Sequence, residues 1–176
     1  MNWTSKVISA VALSLIPFGG ARADWQPDPA ARQTVFIGAK MLATLPTKVE
    51  VSQSDKDNGR KETITVGDYD DVAHPYAQVI SWSATKPFET WTTKEAARLF
   101  VDDPELDLDG DPKTVAGRYG RIEYIAFKNG ETACLYLQGA FNGKHNLLEG
   151  VLCAALNSPL SAEDAKAFAA SIEIRP

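Results

Sequence analysis

Polar and apolar residues alternate most clearly in the last third of the chain, where residues 121–128, 131–140 and 146–155 each read as strands rich in β-formers. Asn129-Gly130 separates the first two and is the preferred pair for a two-residue type I′ hairpin turn. Pairing about that turn sets Lys128 opposite Glu131, Ile125 opposite Cys134 and Arg121 opposite Gln138. A second turn signal, Asn142-Gly143-Lys144-His145, separates the next two segments. A hairpin centred between Gly143 and Lys144 sets Cys134 directly opposite Cys153. Directly opposed residues of an antiparallel pair lie about 4.5 to 5.5 Å apart at Cα, a span that a disulfide accepts. The pattern therefore predicts a three-stranded meander over about residues 120–156, stapled by Cys134 and Cys153 across its last hairpin.

Side chains alternate across a strand, so this register sorts the meander into two faces. One carries Ile122, Tyr124, Ala126, Ala133, Leu135, Leu137, Leu148, Leu152 and Ala154 and reads as a core face. The other begins with Ile125, Phe127 and the cysteines and becomes polar at Arg121, Glu123, Tyr136, Gln138 and Glu149. Those five form a candidate ligand face, since small-molecule clefts combine apolar walls with a few convergent polar groups. A cross-strand charge ladder on a half-solvated sheet is the structural alternative.

Elsewhere the patterning is less regular. Residues 30–45 predict a short helical lead followed by a strand ending at Pro46. Residues 48–52 and 61–66 read as a hairpin about a polar turn, and residues 74–83 as a further strand. Thr92-Thr93-Lys94-Glu95 has the form of a capping box ahead of a helix that Pro104 ends. A second helix start falls at Ser161, with Asp164 three positions on and Ala165, Phe168, Ala169 and Ile172 along one face. This order predicts an α+β fold: an antiparallel sheet including the C-terminal meander, covered by helices, with a closing C-terminal helix.

The N-terminus changes the picture of where the chain folds. Lys6, the apolar residues 7–16 and the triplet Ala21-Arg22-Ala23 have the three parts of a secretory signal. The apolar run falls short of the roughly 20 residues that cross a bilayer, and Pro17, Gly19 and Gly20 interrupt it. The expected organisation is a cleaved signal at residues 1–23 and a single globular domain at 24–176, located in the periplasm or secreted. An even pair of cysteines in an exported chain is expected to be bridged.

The chain of 176 residues carries a formal net charge of −5, and Lys6 and Arg22 both lie in the signal, so cleavage leaves a more acidic domain. That balance disfavours nucleic acid and anionic membrane surfaces as partners. No later segment is apolar enough to span a membrane.

Candidate chemistry is sparse. Asp107, Asp109 and Asp111 place oxygen ligands at alternate positions as a calcium loop does, but Ala116 stands where the closing bidentate carboxylate belongs, so an acidic surface turn is the favoured reading. His74 and His145 fall in separate elements, with no neighbours that suggest a zinc site or a catalytic triad. Glu123 and Glu149 are a conceivable glycosidase pair that would need a cleft and a raised pKa on one member. Nucleotide-binding glycine loops are absent, and no cofactor or resident metal is expected. Trp82, Pro87, Phe88 and Trp91 form an aromatic segment suited either to packing or to a contact with protein or glycan. The reading is a small exported binding or accessory domain without a complete catalytic motif, its partner an envelope protein or a small ligand. The alternative is a small cell-envelope hydrolase whose site is assembled from distant residues.

Overall fold

A computed structural model describes residues 26–54 and 58–175; the expected signal at residues 1–23 lies outside them. Among the described residues the strands are β1 (Gln26–Pro27), β2 (Val35–Ile37), β3 (Thr47–Ser54), β4 (Gly59–Val66), β5 (Tyr76–Ser83), β6 (Leu108–Gly117), β7 (Gly120–Asn129), β8 (Thr132–Phe141), β9 (Asn146–Cys153) and β10 (Ile172–Ile174). The helices are α1 (Thr93–Val101) and α2 (Ala162–Ser171). The eight-stranded sheet runs β1-β3-β4-β5-β9-β8-β7-β6 with every neighbouring pair antiparallel, and β2 with β10 forms a separate two-stranded pair. Two meanders, β3-β4-β5 and β6-β7-β8-β9, thus join edge to edge at β5 and β9. No helix among the described residues is long and apolar enough to cross a membrane.

The C-terminal hairpin has the expected register, with Cys134 opposite Cys153, bridged at a Cα separation of 4.1 Å. The preceding hairpin slips by two residues. Asn129 pairs with Thr132, so the loop is Gly130-Glu131, Phe127 rather than Ile125 faces Cys134, and Glu123 rather than Arg121 faces Gln138. Gly130 has φ +61° and Glu131 does not share that sign, so the turn has the form that places Gly first rather than the type I′ expected from Asn-Gly. A slip of two preserves the faces, because side chains alternate with period two.

Three further expectations are corrected. Residues 30–45 form strand β2 first and then a single 3-10 turn, Lys40–Leu42, because Val35–Ile37 finds a partner in β10. The segment read as an acidic turn or calcium loop is the start of β6, and its register shifts between Asp109 and Lys113, where Gly110 has φ +75°. Such an irregularity, with Pro112 beside it, suits an outer strand and blunts its edge. Helix α1 ends at Val101, before Pro104, on a left-handed Asp102 with φ 56°.

The sheet carries a core on each face. On one side Val35, Ile64, Val79, Leu135, Leu137, Leu148 and Leu152 pack with Ala165, Phe168 and Ala169 of α2 and with Ile172. On the other, Ile80, Trp82, Ile125, Phe127, the disulfide and Tyr136 pack with Phe88 and with Ala96, Ala97, Phe100 and Val101 of α1. Helix α1 starts at the expected capping box, where Thr92 Oγ1 accepts from the Glu95 backbone N–H and Glu95 accepts from Thr92. Ser161 and Asp164 form the same arrangement at α2, which closes the chain except for β10.

Candidate functional site

The five residues expected to line a ligand face lie on one face of the sheet, but α1 crosses that face. Tyr136 is fully buried and Glu149 is 4% exposed. Tyr136 donates its hydroxyl to Glu149 Oε1 at 2.8 Å, and Trp82 Nε1 donates to Oε2 at 3.2 Å. Phe100 of α1 packs edge-on against the Tyr136 ring at 5.5 Å. Burial holds the Glu149 carboxyl above the usual carboxylate range, against the opposing pull of those two hydrogen bonds and of Lys61. Lys61 sits 4.8 Å from the centre of the Trp82 ring, and its own pKa is lowered by burial.

Glu123 accepts from Thr93 Oγ1 of α1 at 2.5 Å, and Gln138 donates to Thr93 Oγ1 and to the Trp91 carbonyl. Arg121 instead donates to Thr114 on β6. The predicted row is therefore a polar seam in which Glu123 and Gln138 tie α1 to β7 and β8, while Glu149 on β9 is held by Tyr136 and Trp82. Gln138 stands between Glu123 and Glu149 in the register, so the two carboxylates are one strand apart rather than adjacent. In the aromatic segment Trp82 and Phe88 are buried, while Trp91 is 39% exposed. Asp107, Asp109 and Asp111 are spread along the approach to β6 and its first residues, and Asp111 pairs with Lys94 at 2.8 Å. Among the described residues no group of three or more His, Cys, Asp and Glu side chains converges. His74 pairs with Asp71 at 2.8 Å on the surface, and His145 Nδ1 lies 3.2 Å from the Ala84 carbonyl.

A concavity with a partly polar lining lies on the opposite face, at the end of the sheet beyond α2. Its origin is in the register. The row Ile64, Val79, Gly150, Leu137 is apolar across β4, β5, β9 and β8. The next row outward begins Glu62, Ser81, and the row beyond that reads Arg60, Ser83, Asn146, Phe141. Small polar side chains thus replace branched apolar ones where the core would otherwise continue. The space they leave is a groove of about 370 Å³, walled by Thr34, Tyr119, Ile174 and Arg175. That volume lies within the range of small-molecule sites, about 300 to 1,000 Å³.

The walls are tied down. Glu62, 1% exposed, accepts from the backbone N–H of Thr34 and of Val35, from Thr34 Oγ1, and from Arg60 Nη2 at 2.8 Å. Arg60 Nη2 also donates to the Arg32 carbonyl, while Arg60 Nε is buried without a protein partner among the described residues. Tyr119 donates its hydroxyl to the Ile174 carbonyl at 2.9 Å, accepts from Ile174 N–H at 2.6 Å, and stacks on Phe141 with ring centres 5.6 Å apart. Arg175 lies over the Phe36 ring at 4.3 Å and pairs with Glu173, which also holds Arg118. Buried donors and fixed aromatic rings make this a preformed recess rather than a gap between mobile side chains.

Sequence patterning missed every residue of the groove. Ser81 and Ser83 interrupt the apolar alternation of β5, which is a usable signal, but Asn146 beside them comes from β9, whose pairing with β5 is not local. Comparison of the chain with protein-family models, curated proteins and solved structures finds no match.

Proposed function

We propose that the chain is an exported binding or accessory domain, non-enzymatic, which holds a small ligand in the groove between the end of the sheet and the β2–β10 pair. The observation that carries this reading is the change from apolar to polar rows on one sheet face, where Ser81, Ser83 and Asn146 stand in place of core side chains and open a recess among fixed walls. Polar side chains at positions that could continue a core weaken the fold unless they meet water or a ligand. Export rests on the signal pattern at residues 1–23 and accords with the disulfide, since such bridges persist in oxidising compartments.

The test uses solution NMR of residues 24–176, titrated with the small-molecule fraction of an envelope extract. Saturable amide shifts centred on Ser83, Asn146 and Arg175, lost in Ser83→Leu, are the expected outcome. Shifts centred on Trp91 and α1 instead would move the site to the other face of the sheet.

The hydrolase reading retains one supporting observation, the raised pKa of Glu149, because a general acid needs one. Its 4% exposure and the two hydrogen bonds it accepts favour a structural role for this carboxyl. Glu149→Gln in an envelope-polymer assay separates the two: turnover by the wild type that this change abolishes would establish the hydrolase.

A further inference from the structure

Resting on the groove reading above, we propose that the ligand is a small hydroxylated carboxylic acid, of the sugar-acid or hydroxy-acid class, with its carboxylate at the Arg60 and Arg175 end and its hydroxyls against Ser81, Ser83 and Asn146.

The sign of the ligand follows from which charges are already engaged. Glu62 is the acidic side chain in the lining, and both of its oxygens accept hydrogen bonds from Thr34, Val35 and Arg60. It has little capacity left for a cationic ligand. The lining holds Arg60 and Arg175 against Glu62, and the Glu173 that pairs with Arg175 is shared with Arg118 outside the lining, which leaves one positive charge in surplus. In a chain whose formal net charge is −5, this end of the sheet is a local exception. A surplus of one matches a monoanion, and guanidinium groups pair with carboxylates through parallel N–H donors.

The hydroxyls follow from the floor. Ser81, Ser83 and Asn146 are half-buried, and their side chains make no hydrogen bond to another side chain among the described residues. A hydroxyl group both donates and accepts, so it can satisfy serine and asparagine side chains together, which an apolar acid cannot. Phe141 and the Tyr119 ring stacked on it offer aromatic surface to the apolar side of a ring or chain. An aromatic wall beside convergent polar groups is the usual make-up of a site for a compact polar ligand.

Isothermal titration of residues 24–176 with D-glucuronate, D-gluconate, D-glucose and inorganic phosphate tests the proposal, with Arg175→Gln and Ser83→Leu alongside the wild type. At least one of the two acids should bind, with D-glucose weaker by about tenfold or more, since a hydrogen bond to a charged group is worth that factor. Arg175→Gln should weaken the acid by a similar factor and lower thermal stability only slightly, because Arg175 is exposed and its pair with Glu173 is a surface one. Ser83→Leu should abolish binding by filling the floor. If D-glucose binds as tightly as the acids and Ser83→Leu removes both, the groove reading stands and the carboxylate class fails. Phosphate binding tighter than either acid also overturns the carboxylate. If neither acid binds the wild type, this proposal is overturned, and the extract titration decides the groove reading separately.

Discussion

Tyr136 and Glu149 lie on neighbouring strands beneath α1, and the tyrosine hydroxyl is 2.8 Å from the glutamate Oε1 in a site closed to solvent. The carboxyl is raised by burial, while its ordinary value is 4.5. A carboxyl whose folded pKa exceeds its unfolded value binds more protons in the native state, so stability falls as pH rises from about the unfolded value through the folded one. Glu149→Gln should remove that part of the pH dependence. Its amide can accept from Trp82 and donate to the Tyr136 oxygen, so the variant should be at least as stable as the wild type near pH 7. Glu149→Leu should lose about 1 to 3 kcal/mol for each buried donor it strands. Urea unfolding between pH 4 and pH 8 measures all three proteins.

Glu62 differs in that it anchors backbone as well as side chains. It collects the backbone donors of Thr34 and Val35 and so fixes where β2 begins. Glu62→Ala leaves those amides without an acceptor and Arg60 without its counter-charge, and each buried donor so stranded costs about 1 to 3 kcal/mol. Hydrogen exchange should show β2 and β10 losing protection well beyond the rest of the sheet.

The Cys134–Cys153 bridge spans a sequence separation of 19 and links β8 to β9 under α1. Replacing both cysteines by Ala should cost about 3 kcal/mol through the restored freedom of the unfolded chain. A lowered guanidinium midpoint with a steeper slope is the expected signature, because the unfolded chain exposes more surface without the bridge.

Gly150 sits opposite Val79 and Leu137 in the middle of the sheet. A Cβ there would lie 2.9 Å from the Gln78 carbonyl oxygen and 3.1 Å from Val79 Cγ2. Backbone cannot yield as a flexible side chain does, so Gly150→Ala should destabilise by about 1 to 3 kcal/mol, as overpacked cores do. Thermal unfolding reads this directly.

The parts of the fold that were legible in the sequence are local ones. The hairpin at Gly143 and Lys144 places the disulfide, the boxes at Thr92 and Ser161 start both helices, and period two assigns Ile122, Tyr124, Leu135, Leu137 and Leu152 to one core. The Asn129-Gly130 turn misled by two residues because Asn129 spends its backbone on the ladder with Thr132, leaving Gly130 to supply the positive φ. Strand β6 was hidden because an exposed edge strand need carry little apolar alternation, and its first residues are acidic. Which face of the meander stayed open was not readable, since it depends on where α1 lands after leaving β5. The groove depends on β5 meeting β9, and that pairing brings Ser83 to Asn146 across 63 positions that no turn signal connects.

The central claim is that an exported, disulfide-stapled domain carries a small ligand in the Ser83 groove, and native mass spectrometry of protein recovered from an exporting host tests it most directly. The expected result is loss of residues 1–23, two hydrogens fewer for the Cys134–Cys153 bridge, and a small added mass that survives only under native conditions and is missing from Ser83→Leu. A chain that keeps residues 1–23 with free thiols, or an added mass that Ser83→Leu retains, would contradict it.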